Sequence, residues 1–328
     1  MNRSEMFSST FLPRASLTDN YPQSLVLAAA FQSAGLRGFI GKLSMDKSSR
    51  STYVEASSDE SLSAAEGFIH SCRDLVKALP QDKQLVEPVL TPRFVPTCTD
   101  SLLNGLGHLS SKYKVKIQSH LAEARDQVDW VKSERGADDV DIFERVLSIT
   151  STILVTCFTE LAVVFQSSLL TCRTIQAHCT FLDLPSLTLL KEKGTAIAHC
   201  PLSNVYFSSQ PFRLREALDL GVRVGLGTDV AGGYTTDIMN AMRQSVIASR
   251  VRESHRSEGE IRARASQSLE ETQAESKDQS TSLAVHWTEA LYLATRAGAE
   301  ALNLSSGSFT LGAPFDAQQS KYALLIAI

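Results

Sequence analysis

The sequence predicts an α/β fold made of parallel strand–helix units, a TIM-type (β/α)8 barrel short by one strand. Three observations predict it. Strand-like and helix-like segments alternate at intervals of roughly thirty residues, the spacing of βαβ units. Seven segments read as strands, and a closed barrel of this type has eight. Consecutive strand ends carry Arg93, His120, His178, His199 and Asp229. An open doubly wound sheet does not gather every strand end around one axis, whereas a barrel does.

The elements follow in order. Met6–Leu12 reads as a short strand. Pro22–Gly35 is an Ala/Leu-rich run with Pro at its start and Gly at its stop, hence a helix. Leu36–Met45 (LRGFIGKLSM) follows as a strand and Asp46–Glu60 as a Ser-rich loop. Ser61–Leu79 carries Leu62, Ala65, Phe68, Ile69, Cys72, Leu75 and Val76 at helical spacing. Val86–Phe94 is the next strand, Asp100–Tyr113 a helix, Lys114–His120 a strand and Leu121–Arg135 a charged helix. The pattern repeats with strand Arg173–His178, helix Leu184–Lys193 closed by Gly194, strand Thr195–Cys200, and helix Arg213–Leu220 closed by Gly221. Val222–Asp229 is a buried strand stopping at a carboxylate, with Gly232 and Gly233 freeing the exit loop to turn. Helices Ile238–Arg252 and His286–Leu302 complete the run.

Two stretches break the rhythm. Val146–Leu170 is apolar with the single charge of Glu160. Its length admits a membrane span, but its Ser and Thr content and its position inside a soluble repeat favour an insertion packed on the barrel. Arg252–Ser282 is charged and nearly free of large apolar residues, which reads as a solvated helix or a disordered loop. The organisation expected is therefore one incomplete barrel over residues 1–316, with insertions at 146–170 and 252–282 and an unmatched tail at 317–328.

Composition narrows the function classes. The 328 residues are 43% hydrophobic, with 32 basic against 36 acidic residues and a net charge of −4. Nothing in that balance attracts nucleic acid or an anionic membrane. Six cysteines show neither a CxxC pair nor a disulfide framework, so they read as reduced thiols in a cytoplasmic protein. MNRSEMFSST lacks the apolar core of a signal peptide.

The chemistry centres on His120-Leu121-Ala122-Glu123. A neutral imidazole at a strand end is a common metal ligand, and a carboxylate three residues on is placed to move protons beside it. A capping box built on Ser119 is the structural alternative. For Asp229 the alternative is the N-cap of the following helix; for His178 and His199 it is a buried ring bonded to backbone. Three histidines and an aspartate at the ends of one repeat favour a site over core packing.

Together, SHLAE (119–123), AHC (177–179), AHCPLSN (198–204) and GLGTDVAGG (225–233) resemble the amidohydrolase superfamily of metal-dependent deaminases. TPRF (91–94) and GFIGKLSMD (38–46) are similar more narrowly to its guanine deaminases. The resemblance implies zinc-dependent hydrolysis of guanine to xanthine and ammonia in purine catabolism, one Zn2+ per subunit. It implies that His120 and Asp229 ligate zinc and that Glu123 relays a proton to a ring nitrogen. His178 would hydrogen-bond the attacking water, Asp229 would accept that water's proton, and Arg93 and Phe94, with His120 and Glu123, would hold guanine. His199 receives no role. Guanine is the expected small-molecule partner, with neither nucleic acid nor membrane; a homodimer stays open.

The chain also departs from the family. The family's first strand carries a His-x-His pair, yet the histidines here are His70, His108, His120, His178, His199, His255 and His286, none of them two apart. Gly312–Ala317 resembles the lead into the family's small C-terminal β-domain, and Gln318–Ile328 does not continue it. The expectation is a barrel lacking its first strand and that domain. The alternatives are a catalytically inactive fragment of such an enzyme, or another amidohydrolase acting on a cyclic amidine or a halogenated ring.

Overall fold

The structure, a computed structural model, describes residues 5–8, 20–48, 50, 53–145, 169–208, 210–266, 282–312 and 314. Its strands are β1 (Glu5–Ser8), β2 (Gly38–Gly41), β3 (Leu43–Ser44), β4 (Val86–Pro92), β5 (Lys116–Leu121), β6 (Thr174–His178), β7 (Ala196–His199) and β8 (Val224–Leu226). Between them run α1 (Asn20–Ser33), α2 (Ser58–Val76), α3 (Asp100–Tyr113), α4 (Arg125–Arg135), α5 (Asp139–Arg145), α6 (Leu184–Lys193), α7 (Pro201–Phe207) and α8 (Leu214–Asp219). After β8 come α9 (Ile238–Ser266), α10 (Trp287–Ala294) and α11 (Arg296–Ala301).

All pairings are parallel, in the order β1-β2-β4-β5-β6-β7-β8, with β3 alongside β4. Sequential strands are spatial neighbours because each returns through a helix that must cover the same sheet. Register runs through Ile117↔Thr174, Ile175↔Ala196 and Ile197↔Val224. The main core lies between sheet and helices, with Leu90, Ile117, Ile197 and Val224 packed with Leu102, Leu106, Leu187, Leu190 and Ala217. A second cluster joins Phe39, Val89, Ile175 and Ala196 to Ala301 and Leu302.

Local chemistry explains the helix ends. Ser57 caps α2 by accepting from Glu60 N at 3.1 Å, and Thr99 caps α3 by accepting from Leu102 N at 3.2 Å. Gly194 ends α6 in the left-handed conformation at φ 67. His286 and Glu289 close a capping box on α10.

Several expected boundaries move. The strand read over Leu36–Met45 is two pieces, interrupted at Lys42. That lysine turns into the protein, 2% exposed, and its Nζ lies 2.5 Å from Glu55 Oε1 while donating to Leu43 O at 2.8 Å. Glu55 Oε2 accepts from Met45 N at 3.0 Å, so one buried ion pair fixes the end of this strand. The helix read over Ser61–Leu79 starts earlier, on the Ser57 cap. The helix read over Leu121–Arg135 starts only at Arg125, because Leu121 is still strand. The strand read to Asp229 ends at Leu226.

The single helix read over His286–Leu302 is two, broken at Thr295 (φ −125, ψ −92). Segments α5 and α7 lie where no element was expected. The charged stretch from Arg252 is helical as far as Ser266, anchored by Arg252 on Glu216 at 2.6 and 2.8 Å. Residues 9–12 of the first expected strand, most of the apolar stretch 146–170, and the tail 317–328 lie outside the described residues. Among the described residues no helix is long and apolar enough to cross a membrane.

Removing Lys42 alone strands a carboxylate in the core. Lys42→Met is expected to cost about 3–5 kcal/mol in urea unfolding, and Lys42→Met combined with Glu55→Leu to recover most of that loss. A single variant as stable as the parent would show that the pair does not hold this strand.

Candidate active site

The site is assembled at the C-terminal ends of β5, β6 and β8. His120 is the penultimate residue of β5, and Ala122 turns the chain at φ 46. Glu123 therefore sits in the loop before α4, not at a helix start, and Ser208 Oγ donates to its carbonyl at 2.6 Å. Ser119 lies inside β5, and the N-cap of α4 is Ala124 with no side-chain bond, which excludes the capping box.

β6 ends on His178, which with Cys179 adopts positive φ (69 and 54). Asp229 lies three residues past β8 at φ 50, a conformation aspartate tolerates better than most residues. It does not cap the next helix: Asp237 does, accepting from Met239 N at 2.9 Å. Gly232 and Gly233 are required for space, since a Cβ on them would meet the Asp229 carboxylate and the Thr228 carbonyl.

One donor atom from each of His120, His178 and Asp229 lies within 4.8 Å of the other two. In a flat sheet, β5 and β8 would be about 14 Å apart, three spacings of ~4.8 Å. Their convergence requires the sheet to curl as a barrel does.

The hydrogen bonds orient the donors. His120 Nδ1 lies 2.8 Å from Arg93 O. A carbonyl only accepts, so Nδ1 carries the proton and Nε2 keeps a lone pair for a metal. The His120 backbone N–H donates to the same carbonyl at 3.1 Å. Burial, then the neighbouring His178, lowers the His120 pKa, with Glu123 opposing, so the ring is neutral at pH 7. The two rings stack at 5.3 Å and 18°.

His178 is buried, and its Nε2 has no hydrogen-bond partner. That atom lies 3.7 Å from Glu123 Oε1 and 4.0 Å from Asp229 Oδ2. Such a buried, unpartnered imidazole nitrogen facing two carboxylates suits a cation or an ordered water. An ion with bonds of about 2.0–2.2 Å draws tetrahedral donors to about 3.3 Å apart, so the cluster needs only modest closure around one.

The structure thus brings together His120, Glu123, His178 and Asp229. Arg93 touches the group through its carbonyl. Its guanidinium lies over the Phe94 ring at 5.1 Å, and Nη1 reaches Met45 Sδ at 3.6 Å. His199 is buried beside Phe212, its ring 5.1 Å away; burial first, then His178, pushes its pKa down to about 3. The alternative of rings bonded to backbone fails for His178, whose Nδ1 meets Asn204 Oδ1 at 2.9 Å.

Sequence reasoning missed Asn204 as a participant, although it closes the quoted AHCPLSN stretch. It also missed Ser208 and Asp139. Asp139 is 2% exposed and receives a hydrogen bond from Gln127 Nε2 at 3.4 Å. Burial raises its pKa, and hydrogen bonds from Gln127 and the Ala122 backbone oppose the rise. It so underlies the loop between His120 and Glu123, and no motif marks it.

The model of the Amidohydrolase family matches residues 14–319, and the chain belongs to that family. Its relatives include the guanine deaminase of Dictyostelium discoideum, 35% identical over 90% of this chain and 55% of that protein. The probable guanine deaminase of Schizosaccharomyces pombe is 33% identical over 90% of this chain and 48% of its own length. The crystal structure of guanine deaminase from C. acetobutylicum with bound guanine superposes with a TM-score of 0.67 at 24% identity. The match covers 89% of this chain and 58% of that one, a likeness of fold. The chain spans about half the length of the curated relatives it matches.

Asp139 provides a test of the loop's support. Burial raises its pKa from 3.8 to about 7, so the folded chain holds that proton more tightly than the unfolded chain. The resulting stability is complete below pH ~4 and lost as pH rises to about 7. Asp139→Asn is expected to remove that part of the decline in urea midpoint between pH 4 and 8; an unchanged slope would place the proton elsewhere.

Proposed function

We propose that this chain carries part of the active site of a zinc-dependent guanine deaminase, which converts guanine and water to xanthine and ammonia. The observation that carries this reading is the convergence of His120, His178 and Asp229 with Glu123 beside them. The guanine deaminases among its relatives support the substrate.

The donor set fits zinc: a neutral imidazole nitrogen and a carboxylate, with a second imidazole adjacent. His120 Nε2 and an Asp229 oxygen would hold the ion. When bound, zinc activates water as a nucleophile near neutral pH, bringing its pKa to about 7. Asp229 takes the proton that water gives up on attack. Glu123, 28% exposed and so reachable from solvent, passes a proton to a ring nitrogen, which lets the exocyclic amine depart as ammonia. His178 Nε2 hydrogen-bonds the attacking water and holds it against the purine carbon. Arg93 offers a planar fork of donors to the base edge, and Phe94 a flat apolar wall.

A second reading, that the chain as given is catalytically silent, draws on the count of donors. Catalytic zinc sites use three protein ligands, whereas the roles above give the ion two. No two histidines of this sequence stand two apart, so it holds no His-x-His pair. We read the described strands as a barrel sheet in which none carries such a pair. The expected zinc content after chelator-free purification is below one per chain, and Asp229→Ala should abolish what binds. Stoichiometric zinc would overturn the two-ligand assignment.

The activity itself is tested in a version completed with a His-x-His strand. Guanine should be turned over well ahead of adenine and cytosine. Glu123→Gln should lower kcat about 10²–10⁴-fold, and Arg93→Ala should raise KM for guanine. Preferred turnover of another cyclic amidine, or full guanine activity in Arg93→Ala, would overturn the substrate assignment.

A further inference from the structure

We propose that Asn204 is a positioning residue that fixes the tautomer of His178, so that Nε2 faces the donor cluster without a proton, and that His199 holds Asn204 in place. The proposal rests on the reading of this cluster as the reacting site; the bonding itself stands on geometry alone.

Asn204 is buried at the first turn of α7, 1% exposed, behind the end of β6. Its side chain spans two histidines from neighbouring strands. Oδ1 lies 2.9 Å from His178 Nδ1, and Nδ2 lies 3.5 Å from His178 O and 3.4 Å from His199 Nδ1.

The orientation of the amide follows from its surroundings. The His178 carbonyl can only accept, so the NH2 end must face it. The same NH2 end then donates to His199 Nδ1. This leaves Oδ1, an acceptor, against His178 Nδ1, and that nitrogen must supply the hydrogen. In the neutral form of the ring, which carries one N–H, Nε2 is then bare. The opposite tautomer would set two acceptors against each other at 2.9 Å between buried side chains.

That Nε2 is buried without a hydrogen-bond partner and faces Glu123 and Asp229. A lone pair at this point accepts the O–H of a water and so orients that water's own lone pairs away from His178. A protonated Nε2 would instead donate, turning the water round. Asn204 thus acts on the reaction through His178 without touching substrate. The same bonding accounts for the buried His199, which supplies the second acceptor that stops the amide from flipping.

The test reads ring nitrogens in the metal-free full chain labelled with 15N-histidine, above pH 7, with His178 assigned by loss of its signals in His178→Gln. The expected result is a single form, Nδ1 protonated and Nε2 pyridine-like. Asn204→Asp, which keeps an acceptor, should retain it. Asn204→Leu should lose it, with His178 shifting toward the Nε2–H form that free histidine prefers.

An Nε2–H ring in the unsubstituted chain overturns the proposal outright, as does an unchanged signature in Asn204→Leu. If Asn204→Leu does not fold, Asn204→Ser, which shortens the acceptor out of reach, is read in the same way, alongside the unsubstituted spectrum. The readout needs neither zinc nor guanine. A completed enzyme that leaves guanine untouched while the tautomer signature holds therefore defeats the functional reading and not this one.

Discussion

The curl of the parallel sheet is the constraint on which the candidate site depends. His120, His178 and Asp229 leave β5, β6 and β8, and only curvature brings side chains from strands three spacings apart within 4.8 Å. Helices on the outer face enforce it, because Leu90, Ile117, Ile197 and Val224 must all be covered by α3, α6 and α8 at once. Positive φ at Ala122, His178, Cys179 and Asp229 then bends the chain at the strand ends and aims these groups inward.

Around that geometry a layer of hydrogen bonds sets the chemistry of each donor. The Arg93 carbonyl serves His120 twice, through backbone and ring. A residue expected for its guanidinium thus has a separate role through its main chain, linking the end of β4 to that of β5. Asn204 plays the comparable part for His178 from α7. These partners come from neighbouring strands and the helices that follow them, so sheet register and ring orientation are coupled: a slip of one residue would remove both the donor and its support.

Buried polar groups away from the donors serve the same end. Lys42 and Glu55 pin the end of the second strand next to Met45, whose sulfur meets Arg93. Asp139 sits beneath the loop that carries Glu123. Each is costly to bury, and each lies directly behind a segment that presents a site residue.

The alternation of strands and helices, the parallel class of the sheet and the residues at its strand ends were determined by the sequence alone. They rest on local periodicity and on short runs such as SHLAE and GLGTDVAGG. The ends of those elements were decided by tertiary structure: Lys42 breaks a strand because Glu55 waits for it, and Arg252 extends a helix into a charged stretch because Glu216 receives it. Asn204, Ser208 and Asp139 were decided there too. Each works through a partner at least twelve residues away, and no spacing along the chain encodes a contact that exists only once the sheet has curled.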